Sequence, residues 1–191
     1  MIQATRVLLP ALAGFICSGL AAQAGSGLCE QEMARAARLE NVPLSVLYSV
    51  ALTETGQRDG LQPYAMNIDG KAVVAGNMQA AVALFRQASA RGAKFIDIGC
   101  MQIDHRFHAA HFDSLEAMFD ARRNVAYAAH FLKELRSREV SWTLAVARYN
   151  AGPNNNLAQK KYVCAVIGNM VKSGLGGWTD QARRFCAPGG A

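Results

Sequence analysis

The chain has 191 residues, 51% of them hydrophobic and 18% charged, with a formal net charge of +6. That length and apolar content suit one domain with a proper core and exclude a disordered polyelectrolyte. The positive balance suits an anionic partner, but the basic clusters at 121–123, 159–161 and 182–184 are short and read as solvated faces, which argues against a nucleic-acid partner.

Residues 1–24 read as a signal peptide. Arg6 supplies a positive start, an apolar stretch containing Pro10 and Gly14 follows, and Ala22-Gln23-Ala24 is a small-residue cleavage site. The apolar run is too short and too interrupted for a membrane span. An uncleaved anchor and a lipoprotein attached through Cys17 are the alternatives, the second disfavoured by Gly14, Phe15 and Ile16 just before the cysteine. The mature chain is expected to start at Gly25, outside the cytoplasm and without membrane insertion. Its cysteines are then Cys29, Cys100, Cys164 and Cys186. An even number in an exported chain points to disulfides, and four cysteines allow three pairings.

Residues 29–40 and 43–55 predict two helices, with Pro43 suited to the first turn of the second. Leu47, Val50, Ala51 and Glu54 share one stripe of that second helix, and Gly56 reads as its stop. Glu54 is therefore a carboxylate on the apolar side of a last helical turn, where burial and the helix dipole both penalise an anion. Asp69-Gly70 marks a hairpin within 61–77, Asn77 caps a helix over 78–92, and 94–98 is β-like. The helical pattern then returns over 121–135, with Val125, Ala128, Leu132 and Leu135 in phase. It continues over 141–150 behind a Ser141 cap, and over 160–171, where Tyr162, Val163, Val166, Ile167 and Met170 align. The Gly-rich remainder, 172–191, predicts a flexible tail behind a domain over 25–171. The expected fold is mainly α (α+β), one helical domain with a small β-containing insertion.

Three motifs carry chemistry in this order: Ala-Leu-Thr-Glu-Thr at 51–55, Gly-Cys-Met-Gln-Ile at 99–103, and Ala-Arg-Tyr-Asn-Ala-Gly-Pro at 147–153. Together they resemble the lysozyme-like lytic transglycosylases, the SLT domains, over roughly 29 to 170. The long spacer between the first two motifs and the Asp-Ile-Gly lead-in at 97–99 look most like the specialised members that accompany secretion systems, conjugation machines and flagella. Thr55, Cys100 and Asp104 depart from the family's usual serine, leucine and asparagine.

The resemblance implies a lysozyme-like fold, a peptidoglycan substrate, a periplasmic location and no cofactor or metal. It makes Glu54 the catalytic acid and places the hydroxyl of Tyr149 against it. Thr55, Met101, Gln102 and Asn150 become substrate contacts, with Gly99, Ala151 and Gly152 shaping the backbone. The 57–96 insertion is expected to wall the cleft through Tyr64, Asn67 and Asp69. A Cys29–Cys164 disulfide is implied by the first and last helices lying side by side in this architecture, leaving Cys100 and Cys186 paired or free. Secretion or flagellar components are implied partners. Asp97 is the residue that could instead hold a water for hydrolysis, as in a lysozyme-type muramidase; a non-catalytic wall-binding assembly factor is the remaining alternative. His105, His108 and His111 lack the carboxylate of a zinc motif and read as exposed helix histidines.

Overall fold

The structure, a computed structural model, describes residues 27–55, 60–152, 154 and 156–187. The signal-peptide reading, Cys17, Gly56 and Pro153 lie outside them. In chain order the described residues form α1 (Leu28–Glu40), α2 (Leu44–Thr55), β1 (Ala65–Ile68), β2 (Lys71–Val74), α3 (Met78–Ala90), β3 (Ile96–Ile98), β4 (Ile103–Asp104), α4 (His105–His108), a 3-10 turn (Ala109–His111), α5 (Leu115–Phe119), α6 (Ala121–Arg138), α7 (Trp142–Ala151), α8 (Asn156–Lys172) and α9 (Asp180–Cys186). The expected mainly α domain with a small β insertion is what the chain adopts.

The long helices end where side chains can cap them. Asn77 accepts from the Ala80 amide at 2.9 Å, Asp120 from Arg123 at 2.9 Å and Ser141 from Leu144 at 3.2 Å. The apolar stripes meet as their periodicity requires. Met33, Leu47, Val50, Val125, Ala128 and Leu132 are fully enclosed where α1 lies on α6 and α2, and Val163 and Val166 of α8 pack into the same core. Each large apolar side chain so buried contributes about 1.5–3 kcal/mol.

The sheet runs in the order β2-β1-β3-β4, antiparallel throughout. Asp69 and Gly70 both take positive φ, 47° and 87°, which forms the tight hairpin turn that the Asp-Gly pair predicts. The Asp69 carboxylate accepts from the amides of Lys94 and Phe95, so it ties the hairpin to the approach of β3 rather than facing a ligand. Alternation puts Met66, Ile98 and Ile103 in the core, and their neighbours Asn67, Asp97 and Asp104 form a row on the opposite face. The short β4 and α4, where only a return of the helical pattern is expected, are too brief to imprint a period on the sequence.

Two sequence expectations are corrected here. The disulfides join Cys29 to Cys100 and Cys164 to Cys186, not Cys29 to Cys164. The reason is packing: α1 lies against α6 and α2, whereas α8 lies against α2 and α7. The segment after Lys172 is also not loose throughout. Thr179 caps α9 by accepting from the Ala182 amide at 3.1 Å, and the second disulfide holds that helix on α8. The two bridges span 71 and 22 residues. Loop-closure entropy then gives about 4 kcal/mol for the first and about 3 kcal/mol for the second. Urea unfolding of the two Cys→Ser double variants is expected to show the larger loss for Cys29/Cys100.

Candidate active site

A cleft of about 540 Å³ opens where α2, the β3–β4 pair, α4 and the end of α7 converge; its lining includes Glu54, Asp97, Gln102, Asp104, Tyr149 and Asn150. A larger groove of about 790 Å³ between α7, α8 and α9 has no carboxylate in its lining among the described residues, so chemistry rather than size picks out the first.

The turn between β3 and β4 is the site's most constrained piece. Gly99 sits at φ 80°, and a Cβ there would lie 2.6 Å from Nδ2 of Asn124. Only glycine tolerates both the conformation and the approach. Asn124, fully buried on α6, fills that space. Its Oδ1 accepts from the Met101 amide at 2.9 Å, and its Nδ2 donates to the carbonyls of Ile98 and Met118, each at 2.9 Å. Gln102 is thereby held at φ 46°, and its Nε2 donates to the Gly99 carbonyl at 2.9 Å. Its Oε1 has no protein partner among the described residues and is left for a ligand in the cleft.

Glu54 is pushed up to about 7. Burial is the largest cause, and the charge of Asp97 adds to it; hydrogen bonds from Tyr162 and Asn150 oppose the rise. The Tyr162 hydroxyl donates to Oε1 at 2.5 Å from α8, which packs on α2. Asp97 is itself pushed up to about 6 by burial and by Asp104, its direct neighbour across the β3–β4 ladder. The cleft therefore holds two carboxyls that both titrate above the ordinary range, Glu54 higher than Asp97.

Several expected contacts are placed differently. Tyr149 lines the cleft, but its hydroxyl donates to the Met101 carbonyl at 3.2 Å, and Tyr162 makes the bond to Glu54 that the resemblance assigns to Tyr149. Met101 is fully buried, so its side chain belongs to the core and not to the cleft wall. The Thr55 hydroxyl donates back to the Ala51 carbonyl at 2.9 Å within its own helix. Tyr64 packs partly buried against the core and is absent from the cleft lining, as are the other described residues of 57–96. That segment instead supplies β1, the strand that supports β3. Asn67 stands directly across from Asp97, its Oδ1 buried and without a partner among the described residues. Gln102 and Asn150 do line the cleft, and Gly152, at φ 60°, ends α7 at its rim. Ala151 is the last residue of that helix.

Comparison with protein families matches residues 32–169 to the family described as Transglycosylase SLT domain. The chain belongs to the transglycosylase SLT family. No curated protein and no solved structure matches it. The SLT match spans Glu54, the Gly99–Gln102 turn and Asn150, and it makes peptidoglycan the substrate class and an extracytoplasmic site of action the consistent one. Among the described residues no helix is long and apolar enough to cross a membrane. Asn124 and Tyr162 are the residues that sequence reasoning did not single out. Each occupies a helical stripe otherwise filled by core side chains, and the only signal is a polar atom at a core position.

Two stability predictions follow from this geometry. Asn124→Leu leaves the Met101 amide and two carbonyls unpaired in the interior, and a loss of about 3 kcal/mol is expected in denaturant unfolding. Glu54→Gln acts in the opposite direction. The folded state holds the Glu54 proton more tightly than the unfolded chain, whose value is near 4.5, so folding stability falls as pH rises through the window from 4.5 to about 7. The variant is expected to exceed the wild type by on the order of 3 kcal/mol above pH 7, a gap that closes below pH 4.5.

Proposed function

We propose that the protein is a peptidoglycan lytic transglycosylase that cleaves the β-1,4 bond between N-acetylmuramic acid and N-acetylglucosamine and leaves a 1,6-anhydro muramic end. The observation that carries this reading is Glu54, a carboxyl pushed up to about 7 at the edge of a sugar-sized cleft. A group with that value can give a proton at neutral pH and take one back.

In the first step Glu54 donates its proton to the leaving glycosidic oxygen as the bond to C1 of muramic acid breaks. The carbonyl oxygen of the substrate's own acetamido group closes on C1 and holds the positive charge. Glu54, now a carboxylate, takes the proton from the C6 hydroxyl of the same sugar. That oxygen attacks C1, the acetamido bond opens, and no water is consumed. Tethering favours the C6 hydroxyl over a water that must be positioned. Tyr162 and Asn150 hold the carboxylate through both transfers, and the free Oε1 of Gln102 can accept from a sugar hydroxyl. Tyr149 acts at one remove, by bracing the turn that carries Gln102.

A hydrolytic reading has one observation in its favour, the presence of Asp97 in the same cleft as an ionised neighbour. Acid and second carboxylate across a glycosidic bond are the equipment of a hydrolase. The products decide: anhydro ends, lighter by one water, are expected in the mass spectrum of digested murein, and reducing ends alone would make the protein a muramidase. The reading further places the mature chain in the periplasm from Gly25 onward, opening the wall locally for an envelope-spanning machine of the secretion or flagellar type.

Glu54→Gln is expected to abolish cleavage in a folded protein. The rate should fall above about pH 7, where Glu54 loses its proton, and below about pH 6 if the Asp97 charge assists. Asp97→Asn is expected to remove the acid limb and move the alkaline limb to lower pH, because one cause of the raised Glu54 value is gone. Turbidity clearing of purified murein across pH reads both limbs.

A further inference from the structure

The helical turn α4 places two side chains in the cleft that the mechanism above does not use, Phe107 and His108. Phe107 is 65% exposed, a large apolar surface to leave in water, and the guanidinium of Arg106 lies over its ring, 5.7 Å from the centroid. Its backbone is fixed by Asp104, which caps α4 by accepting from the Arg106 amide at 2.7 Å. Phe131 adds a second ring to the same cleft wall.

His108 is not an exposed helix histidine. Its ring is half-buried, and its Nδ1 lies 2.7 Å from the hydroxyl of Tyr127 on α6. That hydroxyl has no other acceptor among the described residues, and burial pushes Tyr127 up to about 12, so it keeps its proton. On that count the hydroxyl is assigned as the donor to Nδ1. Burial holds His108 below the usual histidine value, and a neutral imidazole that accepts at Nδ1 carries its hydrogen on Nε2. Nε2 makes no protein hydrogen bond among the described residues. The pair thus offers an apolar ring and a neutral donor side by side, the combination that suits a pyranose with one apolar face and a rim of oxygens.

We propose that α4 forms a sugar subsite of the cleft, in which Phe107 stacks on the apolar face of an N-acetylated hexosamine and His108 donates from Nε2 to an oxygen of that sugar. Tyr127 is the positioning residue that fixes the imidazole. The inference rests on the reading that a glycan strand occupies the cleft.

The test uses the Glu54→Gln chain as parent and titrates it calorimetrically with a hexamer of N-acetylglucosamine, beside murein kinetics in the wild-type background. Phe107→Ala is expected to weaken hexamer binding by about tenfold and to raise KM for murein with kcat little changed, whereas Phe107→Trp retains both. His108→Ala and Tyr127→Phe are each expected to weaken binding severalfold, and the double variant no further than His108→Ala alone. Folded Phe107→Ala protein that binds the hexamer as well as the Glu54→Gln parent and, in the wild-type background, processes murein as the wild type does overturns the subsite. Additive losses from His108→Ala and Tyr127→Phe overturn the positioning role of Tyr127. A wild type that neither binds the hexamer nor cuts murein overturns the glycan reading itself, which separates the two failures.

Discussion

The approach of the Asn124 amide to Gly99 is the constraint on which the cleft depends. Two hydrogen bonds from one buried side chain, to the Ile98 carbonyl and the Met101 amide, set the path of the turn, a third ties it to Met118, and they do so only because Gly99 has no Cβ. With the turn fixed, Asp97 and Asp104 stand at its two ends, Gln102 takes a left-handed conformation, and the Met101 carbonyl is presented to Tyr149. The Cys29–Cys100 bond adds a covalent tie from the same turn to α1. A helix, a sheet and a disulfide thus converge on a segment that lines the same cleft as Glu54.

Glu54 illustrates the opposite use of burial. At Asn124 a polar group is enclosed and fully paired, so it stabilises a single conformation. At Glu54 the carboxyl is part-buried at the cleft edge and only partly compensated, and the uncompensated part appears as acidity near neutral pH. Tyr162 and Asn150 hold the group in place without neutralising the effect, since burial outweighs their bonds. Proton-transfer capacity and folding stability are therefore drawn from the same interaction with opposite signs.

Much of the fold was legible because it is periodic. The helix stripes at 29–40, 43–55 and 121–135 and the Asp69-Gly70 turn are local patterns, and each is present in the folded chain. The ordered motifs located Glu54, Gln102 and Asn150 within one cleft. What escaped was set by tertiary contact. Tyr162 reads as a core aromatic until α8 lies against α2, and Asn124 reads as an ordinary helical residue until Gly99 meets it. Met101 sits in a cleft motif yet turns inward, because the buried Asn124 side chain holds its amide and the turn passes through the core there. The disulfide pairing depended on which helices touch, and family resemblance in helix order did not supply that.

Both cysteines of the Cys29–Cys100 bridge have no solvent exposure. A bond so enclosed cannot be made or exchanged once α1 has settled on α6, because an oxidant needs access to sulfur. Oxidation is accordingly part of folding, and it must come while the N-terminal helix is still free of the core. A chain that completes its packing in a reducing compartment would close over two thiols and keep them. The order of events, oxidation before final closure of α1, is thus written into the position of a single pair of sulfur atoms, and the finished molecule is protected from later reduction by its own interior.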